Sequence, residues 1–439
     1  MHTGPILFPE GFLWGTATAS HQVEGGNRNN DWWECEQQIG YIVDGSRSGA
    51  AVEWWSGRAE EDLHRAAAMG HNAHRLSLEW SRLEPSPGVF DVAAFERYRE
   101  ILGTLRDLGM SASVTLYHFS LPQWAAAMGG WRDRSLPEYF ARYAAKCVSR
   151  LGDLVGWWAT INEPMILVYM AYAGDRWPPG TDSLRDGLKA AANIMRAHHL
   201  AYGEAKARRP QARIGIVLNL PVIDPSSSTV LNRAVAAAQD WVMNGMVLRV
   251  FESGTLAPPL SGRPEPLPGG PNATDWYGIN YYGRHVVQFD PTQPADLFGR
   301  QVQDGVRSEL NNWGEIYPEG LTRGLKRLAT FNKPLFVTEN GIFDNQDTRR
   351  PAYLLRHIRA IHDALQQGLD VRGYFHWTLV DNFEWAEGWS TPFGLLEVNP
   401  ATQVRRPRRS AHIYHEVIQA NGITPELWDA EVGRPAFRE

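Results

Sequence analysis

A single (β/α)8 barrel is the fold the sequence predicts, and three observations point to it. Short apolar runs alternate with longer helical stripes from end to end of the 439 residues, the mark of βα units around a parallel sheet. The runs number eight, the count that closes such a barrel. No Ser/Gly linker or charge block divides the chain, so residues 1–439 read as one catalytic domain, although a length of roughly 150 residues per domain would suggest three.

Taken in order, the runs are FLWGTATAS from Phe12, NAHRLSLEW from Asn72, SASVTLYHF from Ser111 and GWWATINE from Gly156, then ARIGIVLNL from Ala212, DWYGINYYG from Asp275, PLFVTENG from Pro334 and VRGYFHWTLVD from Val371. Helical stripes separate them. In 93–109, Phe95, Tyr98, Ile101, Leu102, Leu105 and Leu108 recur on one face, and Gly109 supplies the stop. Leu354, Leu355, Ile358, Ile361 and Leu365 do the same in 352–367. Ser135, with Glu138 three residues later, reads as a capping box opening a helix that runs to about Leu151. The Pro- and Gly-rich stretch 257–274 reads as a loop before the sixth strand, because a domain boundary there would leave an incomplete barrel on each side.

Composition narrows the function. A net charge of −6 carries no basic footprint for nucleic acid. No run of about 18 uncharged apolar residues exists to span a membrane, and the start lacks the basic leader, apolar stretch and cleavage site of a secretory signal. A cytoplasmic protein is expected. The two cysteines, Cys35 and Cys147, form no C-x-x-C spacing, so neither an oxidising compartment nor a structural zinc is demanded, and one bridge between them stays open. The histidines include no H-E-x-x-H, and no glycine-rich loop precedes a lysine, so neither a metal nor a phosphate-bearing cofactor is expected. The 18 tryptophans are mostly core packing, but several stand beside polar residues at strand ends, where a flat apolar face with one N–H donor suits a sugar ring.

The chemistry sits at two strand ends. The fourth run stops at Asn162 and Glu163, with Pro164 ending the pairing, and a lone carboxylate at the end of a core strand costs several kcal/mol unless solvated or paired. The seventh run ends likewise in Glu339 and Asn340. Barrel enzymes place catalytic groups at the carboxyl ends of their strands, so a gap of 176 positions (339 minus 163) collapses into one mouth. Two carboxyls there suit glycoside hydrolysis, one to protonate the leaving oxygen and one to attack the sugar or activate water.

With these residues in view, the chain resembles glycoside hydrolase family 1, the retaining β-glucosidases and β-galactosidases. FLWGTATASHQVEG is similar to that family's N-terminal signature, TINEP to its acid/base strand, VTENG to its nucleophile strand and DNFEWAEGW to its last substrate-binding loop. The resemblance implies Glu163 as general acid/base and Glu339 as nucleophile, with Arg75 keeping the nucleophile ionised and Tyr282 bonding it. It also implies a sugar-binding ring of Gln22, His118, Asn162, Asn280 and Glu384, with Trp377, Trp385 and Phe393 as walls and Trp313 as floor on the leaving-group side. A negative Glu339 would hold Glu163 protonated. Glu384 would repel a phosphate, which favours unphosphorylated sugars.

Departures cluster on the leaving-group side. Phe119 and Ser120 stand where the family often has Trp-Asp, Trp313 and Gly314 invert the usual Gly-Trp order before YPEGL, and the loop 257–274 is short, which leaves Asn219 unassigned. The expectation is a retaining, exo-acting β-glycosidase for small β-glucosides or oligosaccharides, and for galactosides and fucosides, working without cofactor or metal. The oligomeric state stays open. Two alternatives stand beside it: an inverting barrel, with carboxyls roughly 6.5–9.5 Å apart rather than about 5–5.5 Å, and a carbohydrate-binding barrel with little turnover.

Overall fold

In the computed structural model, which describes residues 4–305 and 313–433, all eight runs become strands of one closed parallel barrel. They are β1 (Leu13–Ala17), β2 (Ala73–Ser77), β3 (Ser111–Tyr117), β4 (Trp157–Asn162), β5 (Ile214–Asn219), β6 (Trp276–Asn280), β7 (Leu335–Asn340) and β8 (Val371–Trp377). Each pairs with its successor, and β8 closes on β1, with Tyr374 beside Trp14 and Trp377 beside Ala17. The strands are shorter than the runs. The last residues of each run leave the sheet and build the mouth.

A principal helix follows every strand: α1 (Ala59–Ala68), α2 (Val92–Asp107), α3 (Leu136–Leu151), α4 (Leu184–Arg208), α5 (Met246–Ser253), α6 (Pro318–Ala329), α7 (Arg350–Gln366) and α8 (Arg409–Gln419). The Asp91 carboxylate caps α2 through the Ala94 N–H at 3.1 Å, and Gly109, at φ +70°, ends the turn just beyond it. Leu108, expected on the apolar stripe, is the half-buried C-cap and packs against the core. The capping box at Ser135 does not form. Its hydroxyl donates to Asp133 rather than accepting from the Glu138 N–H, which bonds the Ser135 carbonyl at 3.1 Å. Ser135 itself has helical backbone angles, so its side chain cannot reach forward to the first turn.

The barrel interior and the layer between strands and helices form one continuous apolar core. Strand β4 is buried from Trp158 to Asn162, as parallel strands covered on both faces must be. Beyond the ends of β5 and β6 the chain adds a small sheet in the order Gly299–Val302, Arg284–Phe289, Val222–Pro225. The stretch 257–274 is a loop leading into β6, pinned by a short antiparallel ladder of Thr255–Leu256 with Glu265–Pro266. Cys35 and Cys147 are both free thiols.

Candidate active site

In a regular strand, neighbouring side chains face opposite ways, so Asn162 and Glu163 could not both enter the mouth. The backbone resolves this at Glu163, whose φ of 46° and ψ of 63° are left-handed. That conformation costs a non-glycine residue about 1–3 kcal/mol. Its N–H still donates to the Val217 carbonyl at 2.9 Å, and Pro164 opens the next helix. Both side chains then meet one amide: Asn280 Nδ2 donates to Glu163 Oε1 at 2.6 Å and to Asn162 Oδ1 at 3.1 Å. Strand β7 is irregular here: its pairing with β6 skips Thr338, and its pairing with β8 shifts register between Val337 and Asn340. Glu339 faces the mouth, whereas Asn340 points outward, donating to the Tyr281 carbonyl at 2.7 Å and the Tyr353 hydroxyl at 2.9 Å.

Arg75 connects the two carboxyls. Its Nη1 pairs closely with Glu339 Oε1, and its Nη2 donates to Asn162 Oδ1 at 2.7 Å. Thr115 Oγ1 at 3.2 Å fixes the guanidinium from the third side. The other oxygen of Glu339 accepts from the Tyr282 phenol at 2.6 Å. Glu339 and Glu163 are thus joined through Arg75, Asn162 and Asn280, five side chains drawn from β2, β4, β6 and β7 and the residue after β4.

The two carboxyls have opposite surroundings. Glu339 has a cation and a phenol on it. Among the described residues, Glu163 accepts from the neutral amides of Asn280 and Asn219, the latter at 3.1 Å. Burial, and after it the negative charge of Glu339, pushes the Glu163 carboxyl up to about 8, against the opposing pull of the two amides and Arg75. Burial is the larger cause. The charge of Glu339 acts in the direction expected from the sequence and is second in size.

A ring of polar groups surrounds the pair. Asn162 Oδ1 takes donors from Arg75 and Asn280, so its Nδ2 donates to His118 Nε2 at 3.3 Å. Burial, and next the charge of Arg75, holds His118 well below its ordinary value, so it is neutral. With Nε2 accepting, Nδ1 carries the proton, and Nδ1 has no partner among the described residues. Gln22 Nε2 donates to Glu384 Oε2 at 3.1 Å, and Gln22 Oε1 is likewise unpartnered. Burial pushes Glu384 up to about 8, with the hydrogen bond from Gln22 opposing. Orphaned buried donors and acceptors are costly. A polyhydroxyl ligand would satisfy both.

Aromatic rings wall the ring of donors. Trp377 and Trp385 stack on His118 at 6.1 and 6.0 Å. Gly341 makes room for Trp377, since a Cβ there would stand 2.0 Å from the Trp377 carbonyl oxygen. Phe393 lies edge-on to Trp313 at 5.2 Å and to Tyr282 at 6.3 Å, linking the two. Trp313 is half-buried.

Several participants escaped sequence reasoning. Asn219, which donates to Glu163, and Thr338, which donates to Asn280 Oδ1 at 2.7 Å and so aims that amide, carry no assignment from sequence. Both stand in or at the end of barrel strands, a signal that could have found them. Phe119, at φ +71°, packs against Trp177 at 4.7 Å and Trp385 at 5.5 Å, while Ser120 donates to the buried Glu79 at 2.9 Å. Nothing in the RWPPG stretch marks Trp177 for that wall.

The sequence model of glycosyl hydrolase family 1 matches residues 5–257 and 271–423, its gap falling in the loop before β6. Among similar curated proteins, a β-galactosidase of Pyrococcus woesei is 31% identical, covering 96% of this chain and 99% of its own length. β-Glucosidase A of Thermotoga maritima is 32% identical, covering 95% and 98%. A solved β-glycosidase from Pyrococcus horikoshii superposes with a TM-score of 0.89 at 36% identity, covering 99% of this chain and all of the other. The Thermotoga maritima β-glucosidase in complex with glucoimidazole gives 0.88 at 30% identity, covering 95% of this chain and 100% of its own.

Proposed function

The chain belongs to glycosyl hydrolase family 1, and from that premise we propose how its own side chains carry out the reaction. It is a retaining β-glycosidase of the β-glucosidase type. In the assignment we favour, residues 1–439 are one catalytic domain, Glu339 is the nucleophile and Glu163 the acid and then the base.

The first step needs Glu163 protonated and Glu339 charged. Glu339 attacks C1 of the sugar from one face as Glu163 gives its proton to the glycosidic oxygen, and the alcohol leaves. Arg75 and Tyr282 fix the orientation of the attacking carboxylate, so little order is lost on reaching the transition state. Once Glu339 is an ester, its charge is gone, and Glu163 has become a carboxylate. Glu163 then takes a proton from water as that water attacks C1. The sugar leaves with its starting configuration and Glu339 is restored.

Recognition of the sugar rests on Gln22, His118, Asn162, Asn280 and Glu384, with Trp377 and Trp385 against the ring. Glu384 bonds to the uncharged Gln22 and Trp377, and among the described residues no cation pairs with it to receive a phosphate, which supports unphosphorylated glucosides as substrates. Two oxygens on one carboxyl can serve both O4 and O6, which extends the proposed range to galactosides; a fucoside, which lacks O6, keeps the O4 contact. Trp313 flanks the leaving-group side with its half-exposed ring, backed by Phe393. No helix among the described residues is long and apolar enough to cross a membrane; a cytoplasmic location is part of the proposal, tested by cell fractionation.

One observation carries the assignment: two buried carboxyls share a hydrogen-bond relay, yet one bonds a guanidinium and a phenol while the other, among the described residues, accepts from two amides. Environments that push two carboxyls apart define the acid and the base. A panel of nitrophenyl β-glycosides and cello-oligosaccharides ranked by kcat/KM, with proton NMR of the first-formed anomer, tests it. Release of the β-anomer from glucosides supports the reading, and the α-anomer overturns it.

A further inference from the structure

Outside the barrel, the segment carrying Trp313 is fastened to the segment carrying Tyr282. Arg284 and Glu315 exchange backbone hydrogen bonds, the Arg284 N–H to the Glu315 carbonyl at 3.0 Å and the Glu315 N–H to the Arg284 carbonyl at 2.7 Å. Two glycines permit this approach. A Cβ on Gly283 would stand 2.6 Å from the carbonyl oxygens of both Trp313 and Glu315, and one on Gly314, at φ +83°, 2.6 Å from that of Arg284. The inverted Trp313-Gly314 order therefore has a structural reason: the left-handed, tightly approached position is the one after the tryptophan.

An ion pair locks the contact. The Glu315 side chain is 1% exposed and accepts from Arg284 Nη2 at 2.8 Å and Nε at 3.2 Å. Its other oxygen takes the Asp304 backbone N–H. Burial works against the carboxylate, but the N–H groups of Asp304 and Gly305 and the charge of Arg284 outweigh it and hold Glu315 below its ordinary range. The Arg284 guanidinium also lies 4.5 Å over the Tyr317 ring. From this lock a row of rings leads inward, Trp313 to Phe393 to Tyr282, and Tyr282 bonds Glu339.

We propose that Glu315 and Arg284 are positioning residues that set the Trp313 ring beside the leaving group and so determine how firmly a bulky aglycone is held. The inference rests on the placement of Trp313 given above. Its consequence is a selective one: interactions with an aromatic leaving group depend on the lock, and those with the sugar do not.

The test compares benzyl and methyl β-glucoside, whose alcohols have similar acidity and differ in bulk, in wild type, Glu315→Gln, Arg284→Lys, Trp313→Ala and the Glu315→Gln/Trp313→Ala double variant. Glu315→Gln is expected to lower kcat/KM for the benzyl substrate roughly 3- to 10-fold, the range of one aromatic contact, through KM, with kcat and the methyl substrate little changed. Arg284→Lys reads the same way should Glu315→Gln fold poorly. Because lock and ring act as one unit, the double variant should lose no more than Trp313→Ala alone. Equal losses on both substrates, or losses that multiply in the double variant, overturn the inference. Should Trp313→Ala leave the benzyl-to-methyl ratio unchanged, the placement of Trp313 falls and takes this inference with it.

Discussion

Asn280 donates its amide to Glu163 Oε1 at 2.6 Å although 117 positions separate the two residues. A hydrogen bond from a neutral donor favours the charged carboxylate, yet Glu163 is pushed up to about 8, because burial and Glu339 outweigh Asn280 and Asn219. The acid must be protonated to work, so kcat/KM should fall as pH rises through about 8. Asn219→Ala removes one group that pulls the pKa down, so its alkaline limb should move upward. A pH–rate profile of the two proteins checks both statements; a limb that stays in place or moves down contradicts them.

Glu163→Ala should separate substrates by leaving group. General acid catalysis contributes about 10²- to 10⁴-fold where the leaving alcohol needs a proton, so methyl β-glucoside should lose activity on that scale. Dinitrophenyl β-glucoside, whose leaving group departs as an anion, should keep a far larger share of its first step. Equal losses across a series of leaving-group acidities would count against Glu163 as the acid.

Glu339→Ala should abolish turnover, with a loss on the order of 10⁴-fold or more, as when a covalent nucleophile is removed. Azide added to this variant should fill the space of the missing carboxylate and yield an α-glycosyl azide, identified by NMR. A variant with wild-type turnover would refute the assignment.

Glu384 predicts a dependence of stability on pH. Its folded value is raised to about 8 from an ordinary 4.5, so the folded state keeps a proton that the unfolded chain releases. Stability from this group is present below about 4.5 and is lost as pH rises through about 8. Glu384→Gln cannot ionise, so its Tm relative to wild type should improve by a few degrees between about pH 5 and about pH 9. Thermal denaturation at the two pH values measures this; a constant difference contradicts it.

The barrel was legible because parallel strands covered on both faces read as apolar runs ended by polar residues, and all eight such runs are barrel strands. Glu163 and Glu339 were legible for the same reason: each is a carboxylate where the pattern calls for none. What pattern cannot convey is direction. Asn162 and Asn340 look alike as neighbours of a glutamate, but the left-handed turn at Glu163 brings Asn162's neighbour into the mouth, while Asn340 turns outward to the Tyr281 carbonyl and the Tyr353 hydroxyl. Ser135 matched a cap by spacing and fails because its own backbone is already helical. The packing of Phe119 on Trp177 and the tether of Trp313 through Glu315 and Arg284 depend on loops that meet only in three dimensions.

The central claim is that Glu339 is the side chain that bonds covalently to the sugar. Incubation with a 2-deoxy-2-fluoro-β-glucoside bearing an activated leaving group, followed by peptide mass spectrometry, measures this directly. The account predicts one added fluoroglucosyl group on Glu339, within the VTENG peptide. A label on Glu163 or Glu384, or inactivation with no covalent label, would contradict it.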